Sequence, residues 1–278
     1  MHLWKAWHDC RSRIVLYVLA TVSIAVLSGL QAVTWANIND AYLMMHPYGR
    51  VSFYTPFFTD FRMNIPFYAL RGDAIGYFGI DEITYVFHVG VLGYGPIVLL
   101  LTSLSLGAGS VGREYGAGTM TFVLTRPGQR WKFILTDWVV GLTGMVIILG
   151  GLAFPVVPFL CAIYAKSPGN VLACLPALWV VGAAIYALSH FTTLVAGSGS
   201  RGLVLSVAAI LTYFFLPNTL HEWWHTDALL RATQWTLRPF AFGAWPLSPF
   251  DWGAIGFWLA VTAGLLGASV AWIRFREV

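Results

Sequence analysis

The chain has 278 residues, 58% of them hydrophobic and only 10% charged, with 16 Lys and Arg against 12 Asp and Glu for a formal net charge of +4. A water-soluble domain carries about 25% charged residues, so this composition and a mean hydropathy of +0.71 exclude a soluble fold. They point to an all-α integral membrane protein, a single transmembrane domain over residues 1–278, and the small positive charge gives no reason to expect nucleic-acid binding.

Residues 1–13 come first. Leu3, Trp7, Cys10 and Ile14 fall on one helical face, with Lys5, His8, Asp9, Arg11 and Ser12 elsewhere. That pattern suits a helix lying in the membrane interface. The uncharged run Ile14–Trp35 follows. It is longer than the apolar core of a signal peptide, roughly 7–15 residues, and reads as a retained span. A bilayer-crossing helix needs about 20 mostly apolar residues, and five more stretches qualify: Ile83–Leu106, Phe133–Phe154, Val171–Val195, Leu203–Leu220 and Trp252–Ile273. The weakly alternating short segments of an outer-membrane barrel are missing. Six transmembrane helices are therefore expected.

Two aromatic segments lie between spans. Residues 36–82 hold eleven Phe and Tyr residues, too many for a disordered linker, and read as an external segment packed as a small cap or along the outer surface. Residues 221–251 mix Trp223, Trp224, Trp235, Phe240, Phe242 and Trp245 with Pro239, Pro246 and Pro249. This suits short outer helices dipping into the interface before the last span. Small residues recur at Thr21, Ala25 and Gly29, and again at Gly256, Ala260, Gly264 and Ala268. Such stripes let helices approach closely, and packing within the chain is the expected use.

Six spans leave both termini on one side. That side holds Lys5, Arg11, Arg13, Arg113, Arg126, Arg130, Lys132, Arg201, Arg274 and Arg276; the opposite side holds Arg50, Arg62, Arg71, Lys166, Arg231 and Arg238. An excess of Lys and Arg in short loops marks the cytoplasmic face. Both termini and the segment 107–132 are thus expected in the cytoplasm, with the chain in the inner (plasma) membrane.

Segment 107–132 is the charged island of the sequence. It contains Arg113, Glu114, Gly116, Gly118, Thr119, Arg126, Pro127, Arg130 and Lys132. Glycines there can break a helix, and Pro127 can start the next where its missing N–H costs little. Arg113, Glu114, Arg126 and Arg130 would face water and offer charges to a partner. Glu114, three residues, Gly118-Thr119, then Pro127 and Arg130 reproduce a pattern that resembles the loop between spans two and three of ABC type-2 transporter permeases. One departure is Asp137, where many members carry lysine. The resemblance implies the permease subunit of an ABC exporter, with a coupling helix in 107–132 docked on a separate ABC ATPase subunit. By the same resemblance, that partner binds ATP and Mg, and a second permease copy or paralogue completes the assembly within membrane lipid. An apolar or amphipathic cargo fits, because no chain of intramembrane carboxylates is present.

The chain has no P-loop of its own, since that motif needs Gly-Lys and Lys5, Lys132 and Lys166 follow Trp4, Trp131 and Ala165. No cofactor is expected in this chain. The rival motif is His221-Glu222-Trp223-Trp224-His225, an H-E-x-x-H match. On a helix it would pair His221 and His225 on zinc with Glu222 as general base, the signature of a membrane metalloprotease. Asp227 and His46 are possible third ligands. The Trp pair is also what an interfacial belt requires, and the favoured reading has no metal there. His88, His190 and Asp137 fall within spans and are functional candidates on that ground. Asp137 is expected to stay hydrated near the interface, and His190 to bond a neighbouring helix. Cys161 and Cys174, placed symmetrically about an external turn, are expected to be free thiols.

Overall fold

The structure is a computed structural model, and it describes residues 4–8, 10–23, 25–26, 82–125, 130–155, 175–224, 227–236 and 252–275. Residues 36–81, Arg126, Pro127, Cys161, Cys174, His225 and most of the outer aromatic segment lie outside the described residues. Among the described residues there are helices and turns and no strand. An N-terminal segment is helical at 4–8, 10–23 and 25–26. It is followed by α1 (Glu82–Gly116), α2 (Met120–Leu124), α3 (Arg130–Ala153), α4 (Leu175–Ala196), α5 (Gly199–Trp224), α6 (Asp227–Thr236) and α7 (Trp252–Phe275). Four described helices, α3, α4, α5 and α7, are long and apolar enough to cross a membrane.

The helix α4 is the axis of the bundle. Nearly its whole circumference from Ala177 to Leu194 is buried. Lipid tails are as apolar as leucine, so helices in a membrane associate through close packing and interhelical hydrogen bonds, each worth roughly 0.6–2 kcal/mol. Both devices surround α4. A Cβ added to Gly107 of α1 would lie 2.6 Å from Tyr186 O, and one on Gly141 of α3 would lie 2.4 Å from the Tyr186 ring. Ser189 donates to Leu104 O at 2.8 Å, and Trp179 Nε1 to Leu142 O at 3.3 Å.

The turn into α5 is short. Gly197 adopts φ 63°, a left-handed conformation in which glycine carries no Cβ strain, and its N–H closes α4 on Thr193 O at 3.0 Å. Thr192 then bonds Gly202 O at 3.0 Å and the Ser206 hydroxyl at 2.6 Å. At the other end of α5 the helix runs through Pro217 and reaches Trp224, beyond the Leu220 limit read from hydropathy. A short helix does precede the last span: in α6, Thr236 is buried and bonded to the Tyr213 hydroxyl, and its carbonyl accepts from Trp258 Nε1 at 2.7 Å.

The N-terminal segment packs against two other helices. Lys5 meets Glu114 whereas Arg13 reaches Ser105 O at 3.1 Å, so this stretch runs antiparallel along α1. Ile14 then packs on Gly144 and Thr21 on Gly151, which continues it parallel to α3. The stripe of α7, expected to pack within the chain, meets none of the described residues: an added Cβ at Gly256 or Gly264 has no described neighbour within 4 Å. In the shorter stripe Thr21 and Ala25 pack within the chain as expected, with Thr21 donating to Ile148 O at 3.3 Å and Ala25 fully buried, and Gly29 lies outside the described residues.

Candidate functional site

The island forms a compact elbow. Helix α1 continues ten residues past Leu106, since nothing in Gly107–Tyr115 stops it, and ends at Gly116. Ala117 N–H bonds Arg113 O at 2.8 Å and Gly118 N–H bonds Tyr115 O at 3.1 Å, capping the carbonyls of the last turn. Gly118 holds φ 68°. At that angle an L side chain clashes with its own backbone, so glycine is the residue that fits. The chain then turns into α2, with Phe122 N–H returning to Thr119 O at 3.0 Å. Met120, the first residue of α2, is buried, whereas Phe122 stands 70% exposed between exposed Thr121 and Thr125.

Glu114 organises this elbow from inside. It is 8% exposed, which corrects the expectation that it faces water and a partner. The reason is local. Glu114 lies on the side of α1 covered by the N-terminal segment, where Lys5 Nζ meets Oε1 at 2.7 Å, and the Thr119 hydroxyl donates to Oε2. Burial pushes the carboxyl toward protonation. The bonds from Lys5 and Thr119 and the charges of Lys5 and Arg113 outweigh it, and the group titrates below its ordinary 4.5. Three parts of the chain thus meet at one carboxylate: the N-terminal segment, the end of α1 and the start of α2.

The other expected site residues are distributed unevenly. Gly118 and Thr119 join Glu114 in the elbow, and Arg113 is exposed beside it. Arg130 is half-buried at the first position of α3, while Arg126 and Pro127 fall outside the described residues. Of the alternative zinc motif, His221 and Glu222 lie on α5, as the motif needs, but His225 is not described. Among the described residues no group of three His, Cys, Asp or Glu could hold a metal.

A second polar cluster lies inside the bundle. Asp137 is 2% exposed, not hydrated as expected, because it points from α3 toward α4. His190 Nε2 lies 3.1 Å from Asp137 Oδ2, off the line of a straight hydrogen bond. Trp138 Nε1 donates to His190 Nδ1 at 3.3 Å, and the Tyr186 hydroxyl donates to Asp137 O at 3.0 Å. The histidine does bond a neighbouring helix, as expected. Its partners were hidden in the sequence because Asp137 and His190 belong to different spans, and single positions carry no pairing signal.

The described fold defines a helical protein with several helices of membrane-spanning length and composition. No family model matches the chain, and no curated protein or solved structure matches it either.

Proposed function

We propose that this chain is the six-span permease subunit of an ABC exporter, moving an apolar or amphipathic cargo across the inner membrane. A separate ABC ATPase subunit, which binds ATP and Mg, docks on the cytoplasmic loop 107–132, and a second permease copy or paralogue completes the pore. Both termini are cytoplasmic. The observation that carries this reading is the elbow itself: a short helix with an exposed aromatic, Phe122, set off by a left-handed glycine and tied through Glu114 to the N-terminal segment. A loop that receives a nucleotide-driven push needs a protruding contact and a stiff connection to the membrane helices. The Lys5–Glu114–Thr119 bonds supply the connection and Phe122 the contact.

Phe122 is the residue to remove. Exposed, it adds little to folding, and Phe122→Ala should leave the protein monodisperse in detergent. An ABC ATPase encoded beside this gene, co-expressed with it, should co-purify with the wild type and be lost or strongly depleted with Phe122→Ala. Failure of any such ATPase to co-purify with the wild type refutes the reading. The zinc-protease alternative requires His225 beside His221 and Glu222, and His225 lies outside the described residues.

A further inference from the structure

The two arms of the loop converge on one stretch of the central helix. Before the loop, the Tyr115 hydroxyl donates to Leu194 O at 3.1 Å. After it, Asp137 and Trp138 engage Tyr186 and His190 through the three contacts given above. All of these land on Tyr186–Leu194, little more than two turns of α4. A polar pair buried in an apolar bundle incurs a desolvation penalty that plain apolar packing avoids, and intramembrane ionisable groups mark function by default.

The hydrogen bonds define the state of His190. An indole N–H only donates, so Nδ1 must accept from Trp138 and the ring proton sits on Nε2, facing the Asp137 carboxyl. The Trp138 hydrogen bond therefore fixes the tautomer, and Asp137 Oδ2 lies 3.1 Å from Nε2 on the other side of the ring. Slip of α3 along α4 is blocked separately. The Tyr186 ring fills the space over Gly141, where even a methyl would sit 2.4 Å from it. Asp137 lies seven residues beyond Arg130, roughly 10 Å along a stiff helix. A displacement of the loop reaches this point with little to absorb it.

We propose that Asp137, Trp138 and His190 form a joint that passes movement of the loop from α3 into the Tyr186–Leu194 stretch of α4, with His190 as the positioning residue. The proposal rests on the permease reading. It is tested by hydrogen–deuterium exchange on the permease–ATPase complex in nanodiscs, with and without ATP, Mg and vanadate. In the wild type, exchange changes in α2 and in 186–194. In Trp138→Phe and Asp137→Ala the change in α2 persists and that in 186–194 is lost. Asp137→Asn, which keeps a side-chain oxygen beside Nε2, restores it. A wild-type response at 186–194 in Trp138→Phe and Asp137→Ala overturns the joint. A wild type whose α2 itself does not respond overturns the permease reading, and the coupling role with it.

A second measurement is independent of any ATPase. In ¹⁵N-histidine-labelled protein, the resonance lost in His190→Gln should report the Nε2–H tautomer, and Trp138→Phe should shift its Nδ1. An Nδ1–H tautomer or an imidazolium there overturns the joint regardless of the exchange result.

Discussion

Helices α4 and α7 are alike in length and apolar content but differ in how much of each the described residues cover. The membrane-length window of α4 is 72% buried and that of α7 only 17%. Glycines around α4 have no room: those at 107, 141, 182 and 202 each meet a neighbour closer than a Cβ allows. In α7, Gly256, Gly264 and Gly267 meet none of the described residues. A small residue therefore signals contact only where another backbone is present, and a regular four-residue spacing does not establish that one is. The spacing that looked most like an interface belongs to a helix whose window the described residues leave largely uncovered.

The contrast is most easily broken at the centre. Gly202→Ala would bring a Cβ to 2.4 Å from Thr193 Cα, backbone that cannot swing aside. Overpacking of this kind costs typically 1–3 kcal/mol and at times more, and thermal unfolding in detergent should show it as the largest loss of the series. Gly107→Ala, which would press on Tyr186 O, should follow closely.

The elbow stands between these extremes. Glu114→Ala removes one charge-assisted bond from Lys5 and one from Thr119, roughly 1.5–3 kcal/mol for hydrogen bonds to a charged group, reduced here because Lys5 is largely exposed to solvent. Faster amide exchange confined to 111–125, with α4 unchanged, is the expected reading. Because the folded carboxyl titrates below 4.5, its contribution is fully present above that pH and is lost as pH falls through the lower folded value. Exchange protection of the elbow should therefore hold from neutral pH down to about its ordinary carboxylate range and decline only in stronger acid. In Glu114→Gln that decline should be missing.

The smallest effect is expected on α7. Gly264→Ala meets nothing and should be neutral or raise stability by up to about 1 kcal/mol, since glycine is a poor helix former. A loss as large as that of Gly202→Ala would mean that this face is covered in the assembled protein. The comparison would then be between two packed helices.

Much of the helical layout could be read from hydropathy, because runs such as Phe133–Phe154 and Trp252–Ile273 differ by only a few residues from α3 and α7. What hydropathy reports is where apolar character stops, and a helix can continue past that point. Helix α1 shows this, running on through Ser110, Arg113 and Glu114 until Gly116. The elbow's residues were legible as a motif, but the direction of Glu114 was not, since its burial depends on Lys5 arriving from 109 residues away. Asp137 and His190 were each suspected singly. Their pairing, and Trp138 between them, depends on how α3 and α4 are rotated, which neither helix encodes alone.

The long separation between Lys5 and Glu114 also orders the protein's biogenesis. The N-terminal segment is made before everything it docks against in the described structure, from Ser105 and Glu114 to Ile148 and Gly151. At about 5–20 residues per second, Lys5 waits several seconds or longer for its carboxylate. A segment made ahead of its partners in this way is among the last to be locked in place. A bulky tag fused ahead of Trp4 would burden that final docking step more than the insertion of any span, and tags for purification belong on the other terminus.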